Sequence, residues 1–206
     1  MNDNTAGQDL AYLKNLAEAA EQSPPLGGRY LAWWGGLISV AYLLHHLVAS
    51  GTLGLSVMAL TWLWLGTGIL GYLGHAVLLR SFPANKPGEG AIGNRVERAV
   101  WTAGGMVLLT YFVALAAKSL WIGAAAPGLA FSLPLVFATY GIAMFTTGTL
   151  AQSGILRWAG KVALALVPIS VLLTGFGLEW LIASLGAACC GFVPGVLLLR
   201  QEPRAV

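Results

Sequence analysis

YLAWWGGLISVAYLLHHLVAS, residues Tyr30–Ser50, is followed after three residues by GLSVMALTWLWLGTGILGYLGHAVLLR, residues Gly54–Arg80. Both stretches are about as long as the ~20 apolar residues an α-helix needs to cross the ~30 Å of hydrocarbon in a bilayer. Neither alternates polar with apolar, as the strands of a membrane β-barrel do. In lipid, a helix is the element that satisfies its own backbone hydrogen bonds. The stretch therefore predicts a hydrophobic helical hairpin running from Tyr30 to Arg80.

The rest of the chain extends the same plan. Of its 206 residues 57% are hydrophobic and 9% charged, with a mean hydropathy of +0.75; a soluble domain carries about 25% charged residues. Six apolar spans are predicted: 30–49, 55–79, 96–117, 129–151, 155–173 and 178–199. The fold class expected is all-α, a polytopic bundle of six transmembrane helices in three hairpins. Each hairpin opens on arginine and tryptophan followed by small residues: Arg29, Trp33-Trp34 and Gly35-Gly36; Arg98, Trp101 and Gly104-Gly105; Arg157-Trp158 and Ala159-Gly160. A threefold hairpin repeat is the expectation, although interfacial tryptophan and positive-inside arginine mark spans of this kind in any membrane protein.

Residues 1–29 form a separate segment. Thr5 and Gln8 have capping-box spacing, and Leu10, Leu13, Leu16 and Ala17 fall on one side of a helix that Pro24-Pro25 and Gly27-Gly28 end. Asp9, Lys14, Glu18 and Glu21 give that helix a net negative set of side chains. An interfacial anchor for anionic lipid is rich in Lys and Arg instead. The stripe is therefore expected to dock on protein, its own bundle or a partner. The domain plan is 1–29 as a cytoplasmic amphipathic helix and linker, 30–200 as the transmembrane domain, and 201–206 as a cytoplasmic tail.

Ten of the eleven Lys and Arg residues fall on one side of this topology, Lys118 alone on the other. The positive-inside rule then places both termini in the cytoplasm of a bacterial inner membrane. The formal charge of +3 is spread one or two residues per loop, so no basic patch for nucleic acid is expected. Cys189 and Cys190, adjacent within an apolar run, offer neither a disulfide framework nor a zinc pattern.

Candidate site residues come from the polar side chains inside the spans. Ser39, Tyr42 and His46 follow Gly35 on one stripe of the first span, so His46 is expected to face inward and His45 lipid or the interface. Intramembrane histidine is a functional candidate by default. Gly68, Gly71 and His75 share a face with Trp64 on the second span, and Gly191 and Gly195 stand in the spacing that lets helix backbones approach closely. Thr139, Ala143 and Thr146 share a face of the fourth span, where threonine serves as interhelical glue before it serves as a permeation surface. Pro134, Pro168 and Pro194 are expected to bend their helices. No acidic residue lies in the interior of a span, which removes the usual working group of a proton-coupled transporter. Lys118 and Glu179, at the outer ends of the third and sixth spans, are placed to pair.

Asp9–Gly28, DLAYLKNLAEAAEQSPPLGG, followed by Trp33-Trp34-Gly35, resembles uncharacterised small six-helix bacterial inner-membrane proteins. The three-hairpin plan is loosely similar to HdeD-type six-helix proteins, in architecture only. Neither resemblance implies an activity, a cofactor or a site residue.

The first functional expectation is a non-enzymatic accessory or regulatory protein acting through partner contacts. The second is a small-molecule transporter or channel, motivated by the kinked helices and the His46 and Thr146 faces. The third is a haem or redox protein. Against the third, His46 lies 17 residues from Arg29 and His75 five from Arg80. At 1.5 Å per residue they differ in depth by about 17 Å, too far to share one iron. No cofactor or metal is therefore expected, and the lipid bilayer is the expected environment.

Overall fold

The computed structural model describes Tyr12 and residues 25–81, 90–122, 128 and 131–202. It is 85% helical, with no strand among the described residues. Among the described residues, six helices are long and apolar enough to cross a membrane: α1 Gly28–Ala49, α2 Met58–Arg80, α3 Ile92–Ile122, α4 Ser132–Leu150, α5 Gly154–Leu172 and α6 Glu179–Gln201. The protein is an all-α, multi-pass membrane bundle. The stripe Leu10, Leu13, Leu16 and Ala17 lies outside the described residues.

Helix ends follow local chemistry. Gly51 and Gly54 carry φ of 75° and 62° in the α1–α2 turn, and Gly175 and Gly177 carry 87° and 77° between α5 and α6; such left-handed turns cost glycine no steric penalty. The Ser153 hydroxyl caps α5 by accepting from Leu156 N. Helix α3 has 31 residues, roughly 46 Å at 1.5 Å per residue, and so outruns the ~30 Å hydrocarbon core. The eight tryptophans lie toward helix ends, with Trp62 and Trp121 among those strongly exposed, as girdles at the two membrane interfaces require.

The largest interfaces join one hairpin to the next. The most extensive interfaces are α4 with α5 and α1 with α6; α2 leans mainly on α1 and α3 mainly on α4. Glycine placement supplies the reason. A Cβ on Gly35 would run into the backbone of Gly191 and Phe192, and one on Gly195 into Ala32, so α1 and α6 touch main chain to main chain. The same holds for Gly148 and Gly160 between α4 and α5. Both glycine seams lie between hairpins, while the contacts within the hairpins α1–α2, α3–α4 and α5–α6 are similar in extent.

The core lies among α1, α4, α5 and α6. One cluster holds Leu31, Met144, Leu156, Ala159, Ala163, Cys190 and Leu198; a second holds Tyr42, Leu133, Phe137, Ala183 and Ala187. Cys190 is buried and Cys189 exposed. Ahead of Pro194, α6 widens into a π turn over Ala188–Phe192, which accommodates a ring that cannot donate to the helical ladder. Arg29 and Glu202, 3.4 Å apart, join the start of α1 to the end of α6. Both helix ends therefore lie on one face of the bundle, called here the Arg29 face.

Candidate functional site

Two residues at the start of α3 fix the start of α1. Asn94 Oδ1 accepts from Leu26 N at 2.9 Å, and the Glu97 carboxylate accepts the Gly27 backbone N–H. Glu97 is 7% exposed. The first N–H groups of a helix have no partner within it and carry a partial positive charge. Asn94 and Glu97, three residues apart on one face of α3, supply acceptors from a different helix. Glu97 is thus a buried acid with a structural task, set by the helix end that it faces.

Helices α1 and α2 are stapled by two tryptophan–histidine hydrogen bonds. Trp34 Nε1 donates to His75 Nδ1 at 3.3 Å, and Trp64 Nε1 donates to His45 Nδ1 at 3.0 Å. The pairs 34/75 and 45/64 have the same residue-number sum, as one continuous antiparallel register demands. Trp33 and Trp34 lie over Gly74 and Gly71, and Trp33 Nε1 donates to Gly71 O at 3.1 Å. Gly68, expected on that face, has nothing within 4 Å.

His45 corrects the expected orientation. It is 8% exposed and stacks on Trp180 with centroids 3.7 Å apart and planes at 20°, while His46 is half-buried. The inward aromatic residues at positions 64 and 180 decide which of the adjacent histidines turns in, a choice the stripe through Gly35 and Ser39 did not contain. Trp64→Phe should leave His45 Nδ1 buried without a donor and cost about 1–3 kcal/mol. Adding His45→Leu should recover part of that loss in detergent melts; strictly additive losses would show that the bond is not the stabilising contact.

The other expected residues are placed as follows. Ser39 Oγ donates to Ser184 O at 2.9 Å and Ser184 Oγ to Ser39 O at 2.8 Å, so Ser39 knots α1 to α6. Tyr42 is buried between Trp64 and Trp180, with centroids at 5.3 and 5.9 Å. Thr139 Oγ1 donates back to Leu135 O at 2.8 Å, the local bonding expected of threonine. Thr146 is half-buried, and neighbouring Thr147 is the fully buried residue, donating to Ala143 O at 2.7 Å. Glu179 and Lys118 do not pair: Glu179 Oε2 is buried with no hydrogen-bond partner. Nor do His46 and His75 approach each other. The residue of α1 opposite His75 is Trp34, twelve positions or about 18 Å from His46 along the helix.

His75 and Thr139 do share one feature, a groove of about 880 Å³ between α1/α2 and α3/α4. Tyr30, Leu31 and Trp34 line it from α1, Tyr72, His75 and Leu79 from α2. Asn94, Glu97, Arg98, Trp101, Gly104, Gly105 and Leu108 line it from α3, with Thr139 and Tyr140 from α4. Trp101 meets Tyr140 edge-on with centroids at 5.0 Å, and Tyr30 lies 5.0 Å from His75. The groove begins at the Arg29 face, beside Leu26 and Gly27, and runs inward to the level of Leu108. It exists because α2 and α3 each lean on a different inner helix and leave a gap between them. Its walls are largely aromatic and carry a few convergent polar groups. No family model, curated protein or solved structure matches the chain.

Proposed function

We propose that the chain is a bacterial inner-membrane protein that takes a small amphiphilic molecule into the groove between α1/α2 and α3/α4, the binding step of a transporter or carrier. The observation that carries this reading is the groove itself. Its volume lies within the ~300–1,000 Å³ of ordinary ligand pockets, its walls are aromatic, and its polar residues gather near one membrane face. An amphiphile has the matching polarity, with an apolar body toward Leu108 and a polar head toward the Arg29 face. The ten-to-one bias of Lys and Arg supports assigning that face, and both chain termini, to the cytoplasm. The alternative of a partner-docking accessory protein rests on Leu10, Leu13, Leu16 and Ala17, which lie outside the described residues.

Gly105 gives a clean test, because a Cβ there meets nothing within 4 Å. Gly105→Trp should place an indole at the groove wall, from a Cβ that itself meets no neighbour. Wild-type protein purified in mild detergent and exchanged into lipid nanodiscs should retain a small amphiphile above the level of bulk lipid, detected by mass spectrometry. The variant should retain at least about tenfold less, equivalent to ~1.4 kcal/mol, with helical content and melting temperature unchanged. Equal retention by both proteins, or none by the wild type, would overturn the proposal.

A further inference from the structure

Building on the groove as a binding site, we infer that its ligand carries an uncharged planar head with a carbonyl-type oxygen, and that His75 Nε2–H is the donor that reads it. An indole N–H can only donate. The bond from Trp34 Nε1 to His75 Nδ1 therefore leaves Nδ1 as the acceptor and puts the imidazole proton on Nε2. His75, which lines the groove, thus has a donor and no acceptor beyond its bond to Trp34.

The groove's charges select against an ionic head. Its carboxylate, Glu97, is engaged by the start of α1: it accepts the Gly27 N–H, and a Cβ on Gly27 would collide with it. Arg98 is the neighbouring residue and lines the same groove. A cationic head would have to compete with the α1 N-terminus for Glu97, and an anionic head would have to compete with Glu97 for Arg98. The uncharged polar side chains of the lining include Tyr72, Asn94, Thr102 and Thr139; among them His75 stands between aromatic walls, with Tyr30 tilted against its ring at 5.0 Å and the Trp101–Tyr140 pair as the aromatic surface. A conjugated ring with carbonyl oxygens and an apolar tail, a quinone-type amphiphile, combines planarity, acceptors and zero charge.

The test measures binding of four probes sharing a decyl chain to full-length protein in nanodiscs, by titration calorimetry against empty nanodiscs. They are a decyl-substituted benzoquinone, decylbenzene, decyltrimethylammonium and decyl phosphate. The benzoquinone should bind most tightly. His75→Phe should weaken it about tenfold, the scale of one hydrogen bond in a buried site, while leaving decylbenzene unchanged. His75→Gln, which restores an N–H donor, should recover part of the loss. With ¹⁵N-labelled histidine, two rings, His45 and His75, should show an unprotonated Nδ1 and a protonated Nε2, and the one whose Nε2 signal shifts on adding the benzoquinone should be absent from His75→Phe. Tighter binding of either charged probe, or benzoquinone affinity unchanged in His75→Phe, would overturn this inference alone, since decylbenzene would still report an occupied groove. If none of the four probes binds, both the inference and the proposed binding function fail.

Discussion

Gly35→Leu is expected to destabilise the bundle more than any other single glycine substitution in α1 or α2. A Cβ at Gly35 meets the backbone of Gly191 and Phe192, and the Gly191 Cα itself lies against Gly35. Main-chain atoms cannot rotate away as the end of a side chain can, so α1 and α6 must separate. Separation breaks more than the local contact: the reciprocal Ser39–Ser184 hydrogen bonds lie one turn further along the same seam. Overpacking of a tight interior costs about 1–3 kcal/mol and occasionally more; for Gly35→Leu a loss of about 3 kcal/mol is expected at the upper end of that range. Gly66 and Gly68 are the controls, since a Cβ on either meets nothing within 4 Å. Alanine at those positions should be neutral or stabilise by up to about 1 kcal/mol through helix propensity. Unfolding of purified protein by titrated denaturing detergent measures all three. Gly35→Leu unfolding together with wild type would show that the α1–α6 seam is not the tight contact described.

The second large effect belongs to Glu97. Glu97→Ala removes a buried carboxylate from the positive end of α1 and leaves the Gly27 N–H without its acceptor. Loss of a helix cap costs about 0.5–2 kcal/mol, and the helix-dipole contribution reaches ~2 kcal/mol in partly buried geometries. A total near 2 kcal/mol is expected for Glu97→Ala. Glu97→Lys should do more damage, because it sets a cation against the same helix end. Glu97→Gln keeps an acceptor oxygen and should fall between wild type and Glu97→Ala. The groove should report the change too: Leu26 and Gly27 line it beside Glu97, so Glu97→Ala should retain less amphiphile than wild type. Melting in detergent and ligand retention in nanodiscs measure the two effects. Unchanged melting in Glu97→Lys would rule out the capping role.

Hydrophobic blocks and the glycines and prolines between them made the helices legible, because each span must satisfy its backbone within itself whatever its neighbours do. Predicted ends at 49, 79, 151, 173 and 199 fall within two residues of the observed ones. The third span was read as 96–117, while α3 covers Ile92–Ile122, because its charged first turn looks like loop to a hydropathy reading. His75 and Thr139 were singled out singly, and the groove that joins them was not foreseen. Glu97, Trp101 and Tyr140 were missed for one reason: each matters through the helix it faces, and facing is not a property of local spacing.

Sequence alone determined that six helices cross a bilayer, since length and apolarity of each block decide that locally. Tertiary structure decided which helices touch: α1 meets α6 across the length of the chain because their glycines allow backbone contact where lipid supplies no hydrophobic drive for association. It also decided which histidine turns inward, since His45 is held by Trp64 and Trp180 from two other helices. The groove follows from the same pairing, because α2 and α3 each settle on a different inner helix and leave the space between them open.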